Sequence, residues 1–280
     1  MSTVIPERNP SMSLDFNQQV IDEFRANRGR VGGFFEGARL ILLTTTGARS
    51  GRPHTVPLAY LPDGDRILVI GSAAGADRHP AWYHNLLADP KATVEDGVFT
   101  YEAKATVLRG PERDAVFARA VEADAGWGEY QAKTSRVIPV VALEQVAGGP
   151  PNASSFGEAL KALHDAFRRE LALIRAEAAK SGPRIGAQLR VNCLTLCQGL
   201  EFHHRSEDTG MFPALADRYP ELEPVMARLR EEHATVARLL GELRAALDGD
   251  SVLAEVDRLV TELENHLAYE EEQLIPLLDG

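Results

Sequence analysis

The feature that most constrains this chain is a change of hydrophobic period across one short segment, Ala147-Gly148-Gly149-Pro150-Pro151-Asn152-Ala153-Ser154-Ser155. Before it, apolar residues gather in short β-type runs; after it they recur at spacings of three and four. One packing cannot serve both periods, so the chain is expected to form two domains joined here. The segment itself is small, polar and rich in Pro and Gly, unsuited to a helix or a central strand, and reads as a linker over 147–155. A length of 280 residues fits two domains, and 44% hydrophobic with 25% charged residues allows each a core.

In the first half the β-type runs are 40–46, 55–61, 66–70, 92–95, 99–108 and 137–143. Pro62-Asp63-Gly64 and Asp96-Gly97 mark tight turns between them. Helical periods interrupt at 14–27, 79–88 and 111–124. The expectation is an α+β domain over 14–146, built on a mostly antiparallel sheet that closes into a small barrel. Residues 1–13, polar and Pro-bearing, are expected to be a flexible N-terminus.

The second half, 156–280, reads as an all-α antiparallel four-helix bundle, with breaks at Ser181-Gly182-Pro183, Pro213 to Pro220 and Asp248-Gly249-Asp250. His164 lies in the apolar stripe Leu160, Leu163, Phe167, Leu171, Ile174, and His233 in the stripe Leu229, Val236, Leu243. The second helix carries Leu196, Leu200, His203 and Glu207; the fourth carries Leu263, His266, Glu270 and Leu274. Residues three and four apart share a helix face, so these imidazoles and carboxylates point inward. The pattern is duplicated: each His-x3-Glu is followed by five residues and a proline, Pro213 or Pro276. Taken singly, a His on an apolar stripe is more often a satisfied core residue. Six such groups in register are different, because buried unpaired carboxylates are costly and call for a cation.

This ligand pattern resembles the hemerythrin family, the His-His-Glu cation-binding domain, over about 155–278. The resemblance implies a non-haem di-iron centre on His164, His203, Glu207, His233, His266 and Glu270, meeting dioxygen, nitric oxide or peroxide, or sensing iron. Oxygen-carrying hemerythrins have a further histidine one turn after the third-helix ligand, where this chain has Ala237. The site is therefore expected to be a ligand short, with an open iron position. His204 lies about 100° round the helix from His203 and is expected to be exposed.

Four segments of the first half could hold a cofactor. The loop Gly47-Ala48-Arg49-Ser50-Gly51-Arg52 offers backbone N–H groups and two guanidiniums to an anion, although alone it reads better as a solvated hairpin tip. Gly71-Ser72-Ala73-Ala74-Gly75 lets a flat ligand lie against backbone, and His79 to Leu86 opens a helix crowded with aromatics. Trp127, Tyr130, Lys133 and Arg136 precede the last run, and an interface patch is the alternative reading for them.

Together, the Thr-Thr-Gly-x-Arg-Ser-Gly loop, Pro57-Leu58, the small-residue turn, Pro-x-Trp-Tyr-x-Asn and Arg-x-Ile-Pro-Val-Val resemble the deazaflavin-dependent nitroreductase family over about 14–146. The resemblance implies a split β-barrel, related to flavin-reductase-like folds, that uses coenzyme F-420. Arg49, Ser50 and His54 would meet the anionic tail. Pro57, Leu58, Ser72, Ala74 and Gly75 would flank the deazaflavin, with Trp82 and Asn85 nearby, and Trp127 and Tyr130 on the substrate side. His54 and Ala73 stand where relatives are often basic, so a weaker hold on the tail is expected.

The net charge is −11, of which residues 1–150 carry −2 and residues 151–280 carry −9, which argues against nucleic acid or an anionic membrane as partner. No apolar run is long enough for a transmembrane segment, and two cysteines give no disulfide framework, so a cytoplasmic location is expected. Cys193 and Cys197 read as buried apolar residues rather than a redox pair. The leading reading is an F-420-dependent oxidoreductase passing hydride to a quinone, nitroaromatic or similar acceptor, with an attached di-iron domain. A sensor or binding protein, and a reductase using FMN, are the alternatives. Homo-oligomerisation is left open.

Overall fold

The computed structural model describes residues 10–149, 151–181, 184–249 and 251–279. Residues 1–9 of the expected flexible start, Pro150, Gly182, Pro183 and Asp250 lie outside the described residues. The chain divides into two compact units, Met1–Asn152 and Ala153–Gly280.

The first unit opens with α1 (Pro10–Ala26), followed by β1 (Leu40–Thr46), β2 (Pro53–Asp63) and β3 (Arg66–Ile70). Then come α2 (Ala81–Ala88), β4 (Lys91–Glu95), β5 (Thr100–Val107), α3 (Gly110–Ala123), α4 (Gly126–Ala132) and β6 (Val140–Ala147). Among the described residues the strands close into an antiparallel barrel in the order β1-β2-β3-β6-β5-β4. Alternation along the strands explains how the barrel is filled and covered. Ile41, Leu43, Val69, Val94, Val141 and Leu143 point inward with Trp82. Leu40 and Leu42 point outward beneath Val20, Ile21 and Phe24 of α1. Leu68, Ile70, Val140 and Ala142 pack under Val116 and Phe117 of α3 and Tyr130 of α4. Covered on both faces, β1 reads as a continuous apolar run, as a strand between two cores must.

The last strand starts and ends later than the run 137–143 suggests. Ile138 N donates to Gln131 Oε1 at 3.0 Å, and Ile138 O accepts from Arg113 at 2.5 and 2.9 Å, so side chains take the place of a ladder there. Pro139 has no N–H to give. Beyond Leu143, pairing with β5 continues to Ala147 opposite Glu102. Part of the segment read as a linker is also fastened to the barrel: Asn152 N donates to Val98 O at 2.7 Å, and Pro151 bridges to Phe99.

The second unit contains α5 (Phe156–Lys180), α6 (Ala187–Ser206), α7 (Phe212–Arg218), α8 (Glu223–Ala246) and α9 (Val252–Leu278). Ser155 caps α5, accepting from Glu158 N at 3.1 Å, while the Glu158 carboxylate reaches back to Ser154 N at 2.7 Å. Helix α5 packs on α6 and α9, and α8 on the same two. The break expected at Pro213 is itself helical: α6 runs through a π-helical turn, Glu207–Met211, straight into α7. Pro213 sits in the first turn of α7, directly after the wide turn in which Phe212 N–H reaches Glu207 O. Two apolar layers result. The large one joins Leu171, Ile174, Cys193, Leu196, Leu200, Leu240, Val256 and Leu263; the small one joins Phe212, Leu215, Met226, Leu229 and Leu274. Cys193 and Cys197 are fully buried and form no disulfide, and burial pushes Cys197 up to about 11, which suits packing rather than redox chemistry.

Candidate metal centre and cofactor end of the barrel

Between those two apolar layers lies a layer of polar side chains. His164 of α5, His203 and His204 of α6, Glu207 of the π turn, His233 of α8, and His266 and Glu270 of α9 are each no more than 6% exposed. The ligand atoms of His164, His203, Glu207 and Glu270 lie within 4.8 Å of one another, as do those of His204, His233 and His266. The carboxylates link the two groups. Glu207 places one oxygen 3.2 Å from His203 Nε2 and the other 3.5 Å from His233 Nε2. Glu270 Oε2 lies 3.5 Å from His164 Nε2 and 3.7 Å from His266 Nε2.

The outer ring nitrogens are fixed from behind. His164 Nδ1 lies 3.0 Å from Glu271, His233 Nδ1 2.9 Å from Asp208, and His266 Nδ1 3.1 Å from Glu232. A carboxylate on Nδ1 selects the tautomer with its lone pair on Nε2, turned toward the centre, which is the arrangement behind metal-bound histidines. Burial works against the charge on Glu271, but hydrogen bonds from His164 and Arg168 outweigh it and hold the carboxyl down at about 2. Burial also lowers all five imidazoles below their ordinary value, His266 to about 4, and so keeps them neutral. Glu207 and Glu270 move the other way, raised chiefly by burial, with Glu270 also raising Glu207.

The inner atoms supply a test of fit to a cation. Both oxygens of Glu207 and of Glu270, and Nε2 of His204, His233 and His266, are buried without a hydrogen-bond partner among the described residues. Orphaned groups at this density each carry a desolvation penalty of about 1–3 kcal/mol unless something binds them. Oxygen and imidazole donors of this kind suit iron.

The structure brings together all six side chains anticipated at this centre and adds His204, which is buried rather than exposed. Helix α6 packs against both α5 and α8, so its buried arc is wide enough to hold Cys193, Cys197 and His204 as well as His203. The signal was present in the sequence: Cys193, Cys197, Leu200, His204 and Glu207 are spaced four, three, four and three. Ala237 is exposed, so no open ligand position lies at that residue.

In the barrel, antiparallel alternation brings the β1–β2 loop, the turn after β3 and the entry to β6 to one end. In the loop, Gly47 N donates to Arg52 O and Gly51 N to Gly47 O, both at 2.8 Å, while Ser50 Oγ meets His54 Nε2 at 3.1 Å. Arg49, Arg52 and His54 are exposed. Asn85 grips the loop from inside: its Oδ1 accepts from Ala48 N and its Nδ2 donates to Thr45 Oγ1, both at 3.0 Å. One acceptor and one donor of its amide are thereby engaged by the loop and by β1.

The turn after β3 is strained. Ala73, Ala74 and Gly75 all have positive φ (48°, 54° and 83°), a conformation that costs an alanine about 1–2 kcal/mol. A Cβ on Gly75 would also stand 2.9 Å from Lys133 Cβ and 3.0 Å from Tyr130 O. Arg136 holds the turn, donating to Gly71 O (3.1 Å), Ser72 O (2.5 Å) and Ala76 O (2.7 Å) and meeting His79 Nδ1 at 3.1 Å. Arg136 thus belongs to the fabric of this end rather than to an interface patch. Pro57, Leu58, Ser72 and Ala74 are half-buried around it. Tyr130 and Trp82 are buried in the cores, and Tyr130 O stands close behind Gly75. Trp127, half-buried with its ring 6.2 Å from that of Tyr130, keeps an open face.

A closed antiparallel barrel with a strained backbone turn and a cationic loop at one end, followed by a helical bundle with a buried His/Glu layer, defines a cofactor-dependent oxidoreductase joined to a cation-binding module. Comparison with known proteins agrees in both parts. Residues 17–145 match the family model described as F420H(2)-dependent quinone reductase, and residues 156–278 match the hemerythrin HHE cation binding domain. An F420H(2)-dependent quinone reductase of Mycobacterium tuberculosis is 39% identical over 124 residues, 43% of this chain and 83% of that protein. A solved F420-H2 dependent reductase is 39% identical, covering 38% of this chain and 94% of that one, with a TM-score of 0.35. The chain belongs to the F420H(2)-dependent quinone reductase family and carries a hemerythrin HHE domain. It is an F420-dependent oxidoreductase with an iron-binding domain. No helix among the described residues is long and apolar enough to cross a membrane.

Proposed function

We propose that the barrel reduces a quinone-type acceptor, a nitroaromatic being the nearest chemical alternative, and that the bundle holds two non-haem irons that meet dioxygen, nitric oxide or peroxide. The observation that carries the second half is the layer of orphaned inner atoms on Glu207, Glu270, His204, His233 and His266. His164 and His203 would hold one ion and His233 and His266 the other, with Glu207 and Glu270 between them. When bound, iron supplies one-electron chemistry; the chain fixes the imidazoles through Glu271, Asp208 and Glu232 and excludes bulk water with its two apolar layers.

In the barrel, F-420 when bound supplies the hydride. The chain's part is to orient it. Arg49 and Arg52 present guanidinium forks to an anionic tail, with Ser50 and His54 beside them. The Arg136-held turn offers the backbone of Ser72, Ala74 and Gly75 to a flat ring, with Pro57 and Leu58 on β2 alongside. Asn85 and Trp82 hold the loop and the inner core in place, and Trp127 is the aromatic open to an acceptor.

The test uses the full chain under anaerobic conditions with reduced F-420 and a soluble menaquinone analogue. Oxidation of the deazaflavin that depends on the quinone is expected, and the His203→Ala/His266→Ala double variant should keep it while losing its iron. Absence of quinone-dependent turnover in protein shown to bind F-420 would overturn the reductase reading.

A further inference from the structure

We propose that His204 is a metal ligand, and that with His233 and His266 it gives one iron three imidazoles while the other, at His164 and His203, has two. The inference deepens the di-iron reading above and rests on it.

The burial of the His204 ring, with an unpartnered nitrogen, calls for an explanation beyond packing. Its ring is buried among the other imidazoles, its centroid 4.2 Å from that of His233, 5.1 Å from His266 and 5.3 Å from His203. Its Nε2 is buried and finds no hydrogen-bond partner, and neither does Nε2 of His233 or of His266; one ring nitrogen of each of the three lies within 4.8 Å of the others. Three nitrogens with nothing to bond to, converging from α6 and from two other helices, are an expensive arrangement for a packed core and an ordinary one for a cation. An apolar residue would fill the same volume without the penalty.

The position also answers a question of ligand supply. The helix position that would furnish a further histidine one turn after His233 is Ala237, which is exposed on α8. The nitrogen comes from α6 instead, from the residue next to His203. The π-helical turn that begins at Glu207 directly follows, and a widened turn of this kind is a common device where a helix must present extra groups to a site. The rings of His204 and His233 are nearly parallel, at 12°. Two offset parallel rings cannot both hold one ion in their planes, so ligation asks the His204 ring to tilt about its side-chain torsions. With Glu207 and Glu270 shared, the His233/His266 ion then has five protein groups and the His164/His203 ion four. The second ion would have the lower count of protein ligands, with Phe167 beside it, its ring 5.3 Å from that of His203.

The experiment is an anaerobic Fe(II) titration of the full chain, with bound iron counted by elemental analysis and helix content followed by circular dichroism. For His204→Leu, one iron is expected to bind as in the unmutated protein and the other at least tenfold more weakly. Two irons held with unchanged affinity by His204→Leu would overturn the ligation of His204 and leave the di-iron reading standing. Fewer than two in the unmutated chain would instead defeat the di-iron reading itself. A second measurement needs no variant: in the cobalt(II)-loaded chain, NMR should show hyperfine-shifted ring N–H signals from all five of His164, His203, His204, His233 and His266. A signal set lacking His204 would overturn the proposal.

Discussion

The two sites of this chain are built on opposite plans. The cofactor end of the barrel is made largely of backbone: its carbonyls are gripped by Arg136, its loop is tied by Asn85, and its exposed cations are solvated. It is complete before any ligand arrives. The metal layer of the bundle is made of side chains whose outer atoms are satisfied and whose inner atoms are not. It is complete only with a cation. On the functions proposed above, the first plan gives a site that a ligand visits and the second a site whose ion would be part of the fold.

The sharpest way to break this contrast is to remove each ligand in turn. Chelating the metal should lower the bundle's melting transition by about 10 °C or more, the scale of several kcal/mol of linked binding for a domain of this size, with helicity retained at room temperature. Removing F-420 should leave the barrel's transition nearly unmoved. Differential scanning calorimetry of the full chain reads both, and equal shifts would dissolve the distinction.

A smaller effect is expected at Arg136. Arg136→Ala frees three carbonyls and releases the strained Ala73–Gly75 turn, so the barrel should lose about 2–4 kcal/mol in chemical denaturation. Deazaflavin affinity should fall with it, and Arg136→Lys should recover little, since an ammonium cannot span the same acceptors. Smaller again, Arg49→Ala should weaken F-420 binding by about 1–3 kcal/mol, the scale of a charge-assisted hydrogen bond, and should weaken a tail-less deazaflavin less. Equal losses for both ligands would move Arg49 away from the tail.

The smallest effect is one of pH. In the metal-free bundle Glu207 and Glu270 have raised folded-state values, so the stability tied to their neutral forms is full below the ordinary carboxylate range and drains away as pH rises through the raised values. The imidazoles, lowered by burial, act oppositely: the stability tied to their neutral forms is present above their ordinary value and lost as pH falls. Above neutrality only the carboxyl effect remains, so the apo-bundle should melt earlier at pH 9 than at pH 7. With the cation bound, the carboxylates are already ionised and the slope should flatten. A metal-free melting point that rises over that interval would contradict the assignment of the raised groups.

The two plans also differ in how well the sequence displays them. Side-chain sites leave a pattern: the duplicated His-x3-Glu and the two lone stripe histidines mark the metal layer before any coordinates. His204 is harder to read, because a helix packed against both α5 and α8 buries two adjacent stripes rather than one. The π turn and the helical character of 212–218 were hidden behind Pro213, whose effect depends on its place in a turn. Backbone sites leave weaker traces. The small residues at 71–75 signal a tight turn, but the bonds from Arg136 that hold it come from 60 or more residues away in sequence. The burial of Tyr130 depends on α3 and α4 covering the barrel's outer face, which periodicity over seven residues cannot foretell.

The central claim, that the buried layer of the bundle is a two-iron centre, is tested most directly by counting iron in the full chain. Purified aerobically, the unmutated protein should carry about two irons per chain, and the His203→Ala/His266→Ala variant none, with its circular dichroism still helical. Iron content unchanged in that folded double variant would contradict the account.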